Sequence, residues 1–139
     1  MEIKQATEKE DFLNCWPVVK ELRPHLSPEQ YVEMVLQMLD ETYQIVFIEE
    51  DGNAVSFCGF RYTTMFHRGK CIYIDDLCTL PSARGKGYAA TLLNYVIEKA
   101  KAEEVQSVHL DSGHQRFDAH RLYLNRGFNI TAHHFALTL

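Results

Sequence analysis

The sequence predicts an α/β protein with a central mixed sheet of six to seven strands flanked by about four helices. Three observations carry that expectation. The first is the run from Cys71 to Leu80, apolar and rich in β-branched and aromatic residues apart from Asp75 and Asp76, which reads as a buried strand. The second is the segment directly after that strand. Pro81-Ser82-Ala83 breaks the strand, Arg84-Gly85-Lys86-Gly87-Tyr88-Ala89 forms a glycine-rich turn, and a helix runs on to about Glu104 with Leu92, Leu93, Val96, Ile97 and Ala100 along one face. The strand after this helix, Ser107 to Leu110, is expected to lie parallel to the 71–80 strand because a helix connects the two. The third is the stretch from Tyr43 to Leu80, whose three strands and short turns read as an antiparallel meander.

The remaining elements rest on local signals. Ile3 to Ala6 is a short opening strand. Thr7 with Glu10 forms a capping box for a helix carrying Phe12, Leu13, Trp16, Val19 and Leu22, and Pro17 inside it predicts a kink or break near Trp16. Ser27-Pro28-Glu29-Gln30 opens a second helix, with Ser27 as cap, Pro28 at the first position and Gln30 closing the box. Asp51-Gly52-Asn53 is a hairpin turn between strands 43–49 and 54–64. His67-Arg68-Gly69-Lys70 turns into the central strand. Asp118 caps a short helix holding Leu122 and Tyr123, and Gly127 stops it. Residues 129–131 and 133–137 are closing strands.

Composition sets bounds. With 139 residues, the chain is read as one domain, 1–139, with 46% apolar and 24% charged residues. No apolar run approaches the ~20 residues of a membrane span, and the first residues lack the apolar core of a signal peptide. Cys15, Cys58, Cys71 and Cys78 show no CxxC spacing and read as reduced thiols, so a cytoplasmic protein is expected. A net charge of −5 argues against nucleic acid or an anionic membrane as the main partner.

The glycine-rich turn is the strongest chemical signal. Backbone N–H groups at a helix start, opened by small residues, favour a phosphate or pyrophosphate, and Arg84 and Lys86 add positive charge. Two ligand classes fit. Gly85-x-Gly87-x-x-Ala90 satisfies a dinucleotide fingerprint, with Asp111 placed as a ribose-binding acid. Against it, four residues separate the strand from the turn, and too little chain lies beyond Asp111 for the larger parallel sheet. A Walker loop is excluded because Gly-Lys-Ser/Thr does not occur.

The same residues resemble the GCN5-related N-acetyltransferase (GNAT) family, whose pyrophosphate motif is Gln/Arg-x-x-Gly-x-Gly/Ala. Arg84, Gly87 and Ala89 match it in register. The Asp75-Asp76 pair on the preceding strand and the segment from Asp118 to Phe128, similar to the family's Ala-x-x-x-Tyr-x-x-x-Gly-Phe ending, extend the likeness from about residue 3 to the end of the chain. The resemblance implies an acetyl-CoA-dependent transferase acting on a primary amine by direct transfer in a ternary complex. The cofactor would be held by Leu77, Cys78 and Thr79 along the pantetheine arm, by Arg84, Gly85, Lys86, Gly87, Tyr88, Ala89 and Ala90 at the pyrophosphate, and by Arg116 and Ala119 on the last helix. Many members carry Asn where this chain has Arg116, so that contact is changed or lost. Asp76, with Asp75 as the alternative, would take a proton from the amine, and Tyr123 would give one to the departing thiolate.

Successive strand residues point to opposite faces, so only one of the two carboxylates should serve unless a bulge intervenes; the other would cap backbone or pair with Arg61 or Arg84. The resemblance also makes the first two helices and their loop one wall of the acceptor pocket, within reach of Arg23, His25 and Tyr31, although these three read more simply as surface and packing residues. The tail is similar to aminoalkylphosphonate N-acetyltransferases. Small amines (aminophosphonates, polyamines, amino sugars, aminoglycosides) lead as acceptors, a homodimer is a family-level expectation, and no metal is expected because neither His133-His134 nor His114/His120 has a third ligand in spacing. A non-catalytic acyl-CoA sensor and a protein lysine or N-terminal acetyltransferase are the alternatives.

Overall fold

The computed structural model describes residues 1–139. Contacts divide the chain into two parts, 1–109 and 110–139, which are described separately. The first part holds β1 (Lys4–Gln5), α1 (Lys9–Leu22), α2 (Pro28–Leu39), β2 (Gln44–Glu50), β3 (Asn53–Met65), β4 (Gly69–Thr79), a 3-10 turn (Pro81–Ala83) and α3 (Tyr88–Ala102). β5 (Ser107–Leu110) completes a sheet ordered β1-β2-β3-β4-β5. β1 to β4 pair antiparallel in sequence order. The Asp51-Gly52 turn adopts positive φ at both residues, 51° and 79°, as a tight hairpin of matching twist requires.

Ile45, Val46, Phe47 and Ile48 are all buried, because both faces of β2 are covered. Ile45 and Phe47 join a core with Phe12, Cys15, Val18 and Phe57. Val46 and Ile48 point to the opposite face, where α3 packs with Leu92, Leu93, Val96 and Ala100 buried. No helix is long and apolar enough to cross a membrane.

Helix boundaries depart from the sequence reading at α1 and keep to it at α2. α1 is capped one residue late: Glu8 is the N-cap, and the Asp11 carboxylate, rather than Glu10, accepts the N–H groups of Thr7 and Glu8 at 2.9 and 3.0 Å. Both Thr7-x-x-Glu10 and Glu8-x-x-Asp11 place an acid three residues on, and only the shorter carboxylate lands on the backbone. Pro17 does not break α1, which continues to Leu22. α2 begins as expected, with the reciprocal Ser27–Gln30 bonds at 2.9 and 3.1 Å.

The two backbone bonds hold the Asp11 carboxyl below the usual carboxylate range. A group depressed in the folded state stabilises above its unfolded pKa and loses that contribution as pH falls through its folded pKa. Asp11→Ala should therefore cost about 1 kcal/mol at pH 7. The gap from the parent should close below about pH 4, followed by chemical denaturation across pH.

In the second part, α4 spans Phe117–Asn125. Asp118 lies inside its first turn and pairs with Arg121, while Arg116 holds the cap position, so Asp118 is not the cap. Gly127, at φ 90°, ends it, with the Phe128 N–H bonded to the Tyr123 carbonyl at 3.1 Å. The expected closing strands do not form. Residues 129–139 carry no strand, and Ile130, Phe135 and Leu137 are exposed, so the sheet has five strands rather than six to seven. Alternation along 133–137 is a local property, whereas a strand exists only by pairing with a neighbour.

Candidate active site

A cavity of about 430 Å³ opens between the helical pair and the sheet of the first part. Its floor comes from β2, β3 and β4: Tyr43 just ahead of β2, then Ile45, Phe57, Tyr73, Asp75 and Asp76. Its wall is the end of α1, the loop after it and one face of α2, which contributes Tyr31, Met34, Val35 and Met38 at helical spacing. Arg23, His25 and Tyr31 line it, so these three belong to the cavity wall and are more than surface and packing residues. Tyr31 is held rigidly, stacked on Trp16 at 5.2 Å and donating its hydroxyl to the Phe12 carbonyl at 2.8 Å.

Both carboxylates reach this cavity because β4 carries a bulge. In the register with β3, Gly59 faces Asp76 and Phe60 faces Ile74, which leaves Asp75 as the extra residue. A bulge breaks the simple alternation of strand side chains, and Asp75 and Asp76 end up on one lining instead of opposite faces.

Neither carboxylate stands alone. Asp76 Oδ1 accepts Arg23 Nε at 3.0 Å and Nη2 at 2.9 Å, and its Oδ2 accepts the Tyr43 hydroxyl at 2.6 Å. Arg23 also donates to the Asp75 carbonyl at 3.1 Å. Asp75 takes a forked pair from Arg61, with Nη2 at 2.6 Å and Nε at 3.0 Å, and Glu41 holds the other arm of Arg61 at 3.1 Å. Arg61 lies over the Tyr43 ring at 5.3 Å, which ties the two pairs into one network. Pairing with Arg61, foreseen only for a carboxylate turned away from the cleft, occurs for one that lines it. Burial raises the Asp75 carboxyl above its ordinary range, with Arg61 opposing. Burial, and then the Asp76 charge, push the Tyr43 phenol well up, so it donates to Asp76 as a neutral hydroxyl.

Gly59 is required by this arrangement. A Cβ there would lie 1.7 Å from the Tyr43 hydroxyl oxygen and 2.5 Å from the ring carbon bearing it. Tyr43 is only 4% exposed and is held in place by Asp76 and Arg61. Gly59→Ala should therefore destabilise by about 1–3 kcal/mol, measured by denaturant unfolding. Neither Tyr43 nor Gly59 is among the residues predicted from sequence. The signal for Gly59 was a glycine inside a strand, which marks a bulge or a close approach.

The glycine-rich turn forms a second feature. Gly85 and Gly87 take φ of 78° and 82°, and no atom lies within 4 Å of where a Cβ would stand at either. The backbone at both positions is therefore open to approach. α3 starts at Tyr88 with Gly87 as a cap that offers no side chain, and its first turn holds no acid. The first N–H groups of a helix have no intrahelical partners, so residues 88–90 present donors at a positive helix end. This fits a pyrophosphate. Arg84 is largely exposed, donates to the Thr79 carbonyl at 3.3 Å and pairs with Glu21 at 3.8 Å. Lys86 and the Tyr88 hydroxyl both turn to Glu50, at 2.7 and 2.5 Å, which leaves the backbone as the main anion donor.

Leu77, Cys78 and Thr79 form the half-buried end of β4. β5 enters beside its start, where Gln106 N–H bonds the Lys70 carbonyl at 3.0 Å, and a four-residue strand running on from there stops short of Leu77. An edge without a neighbouring strand can bond an extended ligand arm. The Thr79 hydroxyl is held by buried Ser56 at 2.7 Å.

In the second part, Arg116 and Ala119 lie at the start of α4 and Tyr123 near its end, with the Tyr123 ring 6.0 Å from Phe128. His120 bonds the Gly113 carbonyl at 2.8 Å, and Asp111 pairs with His134 at 2.9 Å. Asp111, the acid a dinucleotide would need, is thus already engaged.

Known proteins share both the sequence pattern and the fold. The sequence profile of the Acetyltransferase (GNAT) family matches residues 8–128, spanning both parts. The uncharacterized N-acetyltransferase YhdJ of Bacillus subtilis strain 168 is 34% identical over 135 residues, 96% of this chain and 95% of that protein. A protein described as a transcriptional regulator from Bacillus halodurans C-125 superposes with a TM-score of 0.87 at 21% identity, covering 99% of each chain. An aminoglycoside N-acetyltransferase in complex with CoA superposes with a TM-score of 0.84 at 17% identity, covering 99% of this chain and 93% of that one. At such identities the two structures establish the fold alone, while the profile and the Bacillus subtilis relative establish kinship. The chain belongs to the acetyltransferase (GNAT) family and is, by that membership, an N-acetyltransferase.

Proposed function

We propose that the protein transfers the acetyl group of acetyl-CoA to the primary amine of a small molecule, directly, in a ternary complex. The observation that carries this reading is the pair of carboxylates brought by the β4 bulge to one cavity. On the same strand, residues 77–79 lead toward the glycine cradle. Acetyl-CoA supplies the activated acyl group. Backbone groups of residues 84–90 bind its pyrophosphate, with Arg84 adding charge. The N–H groups along 77–79 that do not bond β3 align the pantetheine arm and polarise the thioester carbonyl.

An alkylammonium ion must lose a proton before it can attack. Its ordinary pKa is about 10.4, against about 3.9 for an aspartate, so a carboxylate serves as the entry of a proton relay and not as a final store. Asp76 is assigned that entry, with water passing the proton outward. Arg23 assists, because a fixed positive charge in the cavity lowers the ammonium pKa. Tyr123 is assigned the proton donor to the departing thiolate from its place in the family's terminal motif.

The test is acetyl-CoA-dependent thiol release against a panel of primary amines, with acetyl-CoA binding followed by thermal shift. Stabilisation by acetyl-CoA together with turnover of a small amine is the expected result. Stabilisation without turnover of any small amine or peptide would favour an acyl-CoA sensor, and neither effect would overturn the reading.

A further inference from the structure

The cavity's own chemistry narrows the acceptor. Resting on the acetyltransferase reading above, we infer that the acceptor is a primary amine carrying one positive charge on an apolar aliphatic or aromatic body, and that polycationic amines are poor substrates.

The first argument is charge. The whole chain is acidic, at −5, yet the cavity lining holds a surplus of only one acid. Its lining carries two carboxylates, Asp75 and Asp76, and one guanidinium, Arg23, which pairs with Asp76; Arg61, which pairs with Asp75, does not line it. Arg61 is shared with the exposed Glu41, which does not line the cavity either, so Arg61 does not cancel the remaining acid. His25 is the only further titratable group on the loop side. One ammonium can be accommodated while it awaits deprotonation at Asp76. Every additional ammonium of a polyamine or aminoglycoside would enter without a counter-charge, which is costly away from water.

The second argument is the lining. Leu26, Met34, Val35, Met38, Ile45 and Phe57 make most of the wall apolar, and the rings of Tyr31 and Tyr73 extend it. A polyhydroxylated or multiply charged body has few partners there. Methionines adapt to irregular apolar shapes, and Met34, 46% exposed on α2, sits where the body of an acceptor would enter. The volume, about 430 Å³, is of small-ligand size.

The experiment compares kcat/KM for 2-phenylethylamine and n-hexylamine with that for spermidine and kanamycin, at constant ionic strength and saturating acetyl-CoA. The expected result is a preference for the two monoamines of roughly tenfold or more. Met34→Asp, at an exposed position compatible with folding, should raise KM for the monoamines on the order of tenfold and improve spermidine relative to them. Acetyl-CoA thermal stabilisation should not change. Faster turnover of spermidine or kanamycin, equal turnover of all four, or no turnover of the monoamines by a protein that acetyl-CoA stabilises would each overturn the inference while leaving the cofactor assignment intact. Absence of acetyl-CoA stabilisation would overturn both.

Discussion

Tyr123→Phe should lower the rate of acetyl transfer roughly 10²- to 10⁴-fold. The substitution keeps the aromatic ring, whose neighbour is Phe128 at 6.0 Å, and the backbone bond from Phe128 N–H to the Tyr123 carbonyl that closes α4. Only the hydroxyl is lost. If that hydroxyl protonates the departing thiolate, the barrier rises at the step where the carbon–sulfur bond breaks. A substrate with a better-leaving thiolate should then recover part of the loss. Single-turnover kinetics, in which product release does not intervene, give the cleanest reading. Full activity in Tyr123→Phe under those conditions would remove the residue from the mechanism.

The second large effect is expected at Asp76. Asp76→Asn should reduce kcat/KM roughly 10²- to 10⁴-fold near neutral pH. It should also cost stability, about 1–3 kcal/mol, because Arg23 loses its counter-ion and the one amide oxygen cannot serve both Arg23 and Tyr43. The two losses separate by pH. An amine that is already neutral needs no base, so the activity deficit should shrink as pH climbs toward the acceptor's own pKa, whereas a purely structural defect would not recover. Asp75→Asn offers the comparison: Arg61 keeps Glu41 as a partner, and the catalytic deficit should be smaller.

Much of the fold was legible from short-range signals. The Ser27–Gln30 box, the Asp51-Gly52 turn, the apolar face of α3 and the left-handed stop at Gly127 each depend on a few neighbouring residues, and each stands where those residues place it. The glycine-rich turn was equally readable, since positive φ at Gly85 and Gly87 is a property of glycine itself. The errors lie where a signal needs a distant partner or where two local solutions compete. The closing strands failed because alternation does not create an edge to pair with. The α1 cap moved because two acids could reach the backbone.

The cavity shows the division most clearly. The adjacent carboxylates, the helical pair with its loop, and the family motif are matters of sequence alone. That both carboxylates share one lining was decided by the β4 bulge, which depends on the β3 register opposite Gly59 and Phe60. That Arg23 answers Asp76 and Arg61 answers Asp75 depends on segments up to 53 residues apart meeting at one wall. Charge identity is written in the chain, but charge balance in a cavity is a sum over whatever the fold brings within a few ångströms. That sum, two carboxylates against one guanidinium among apolar side chains, belongs to the tertiary structure.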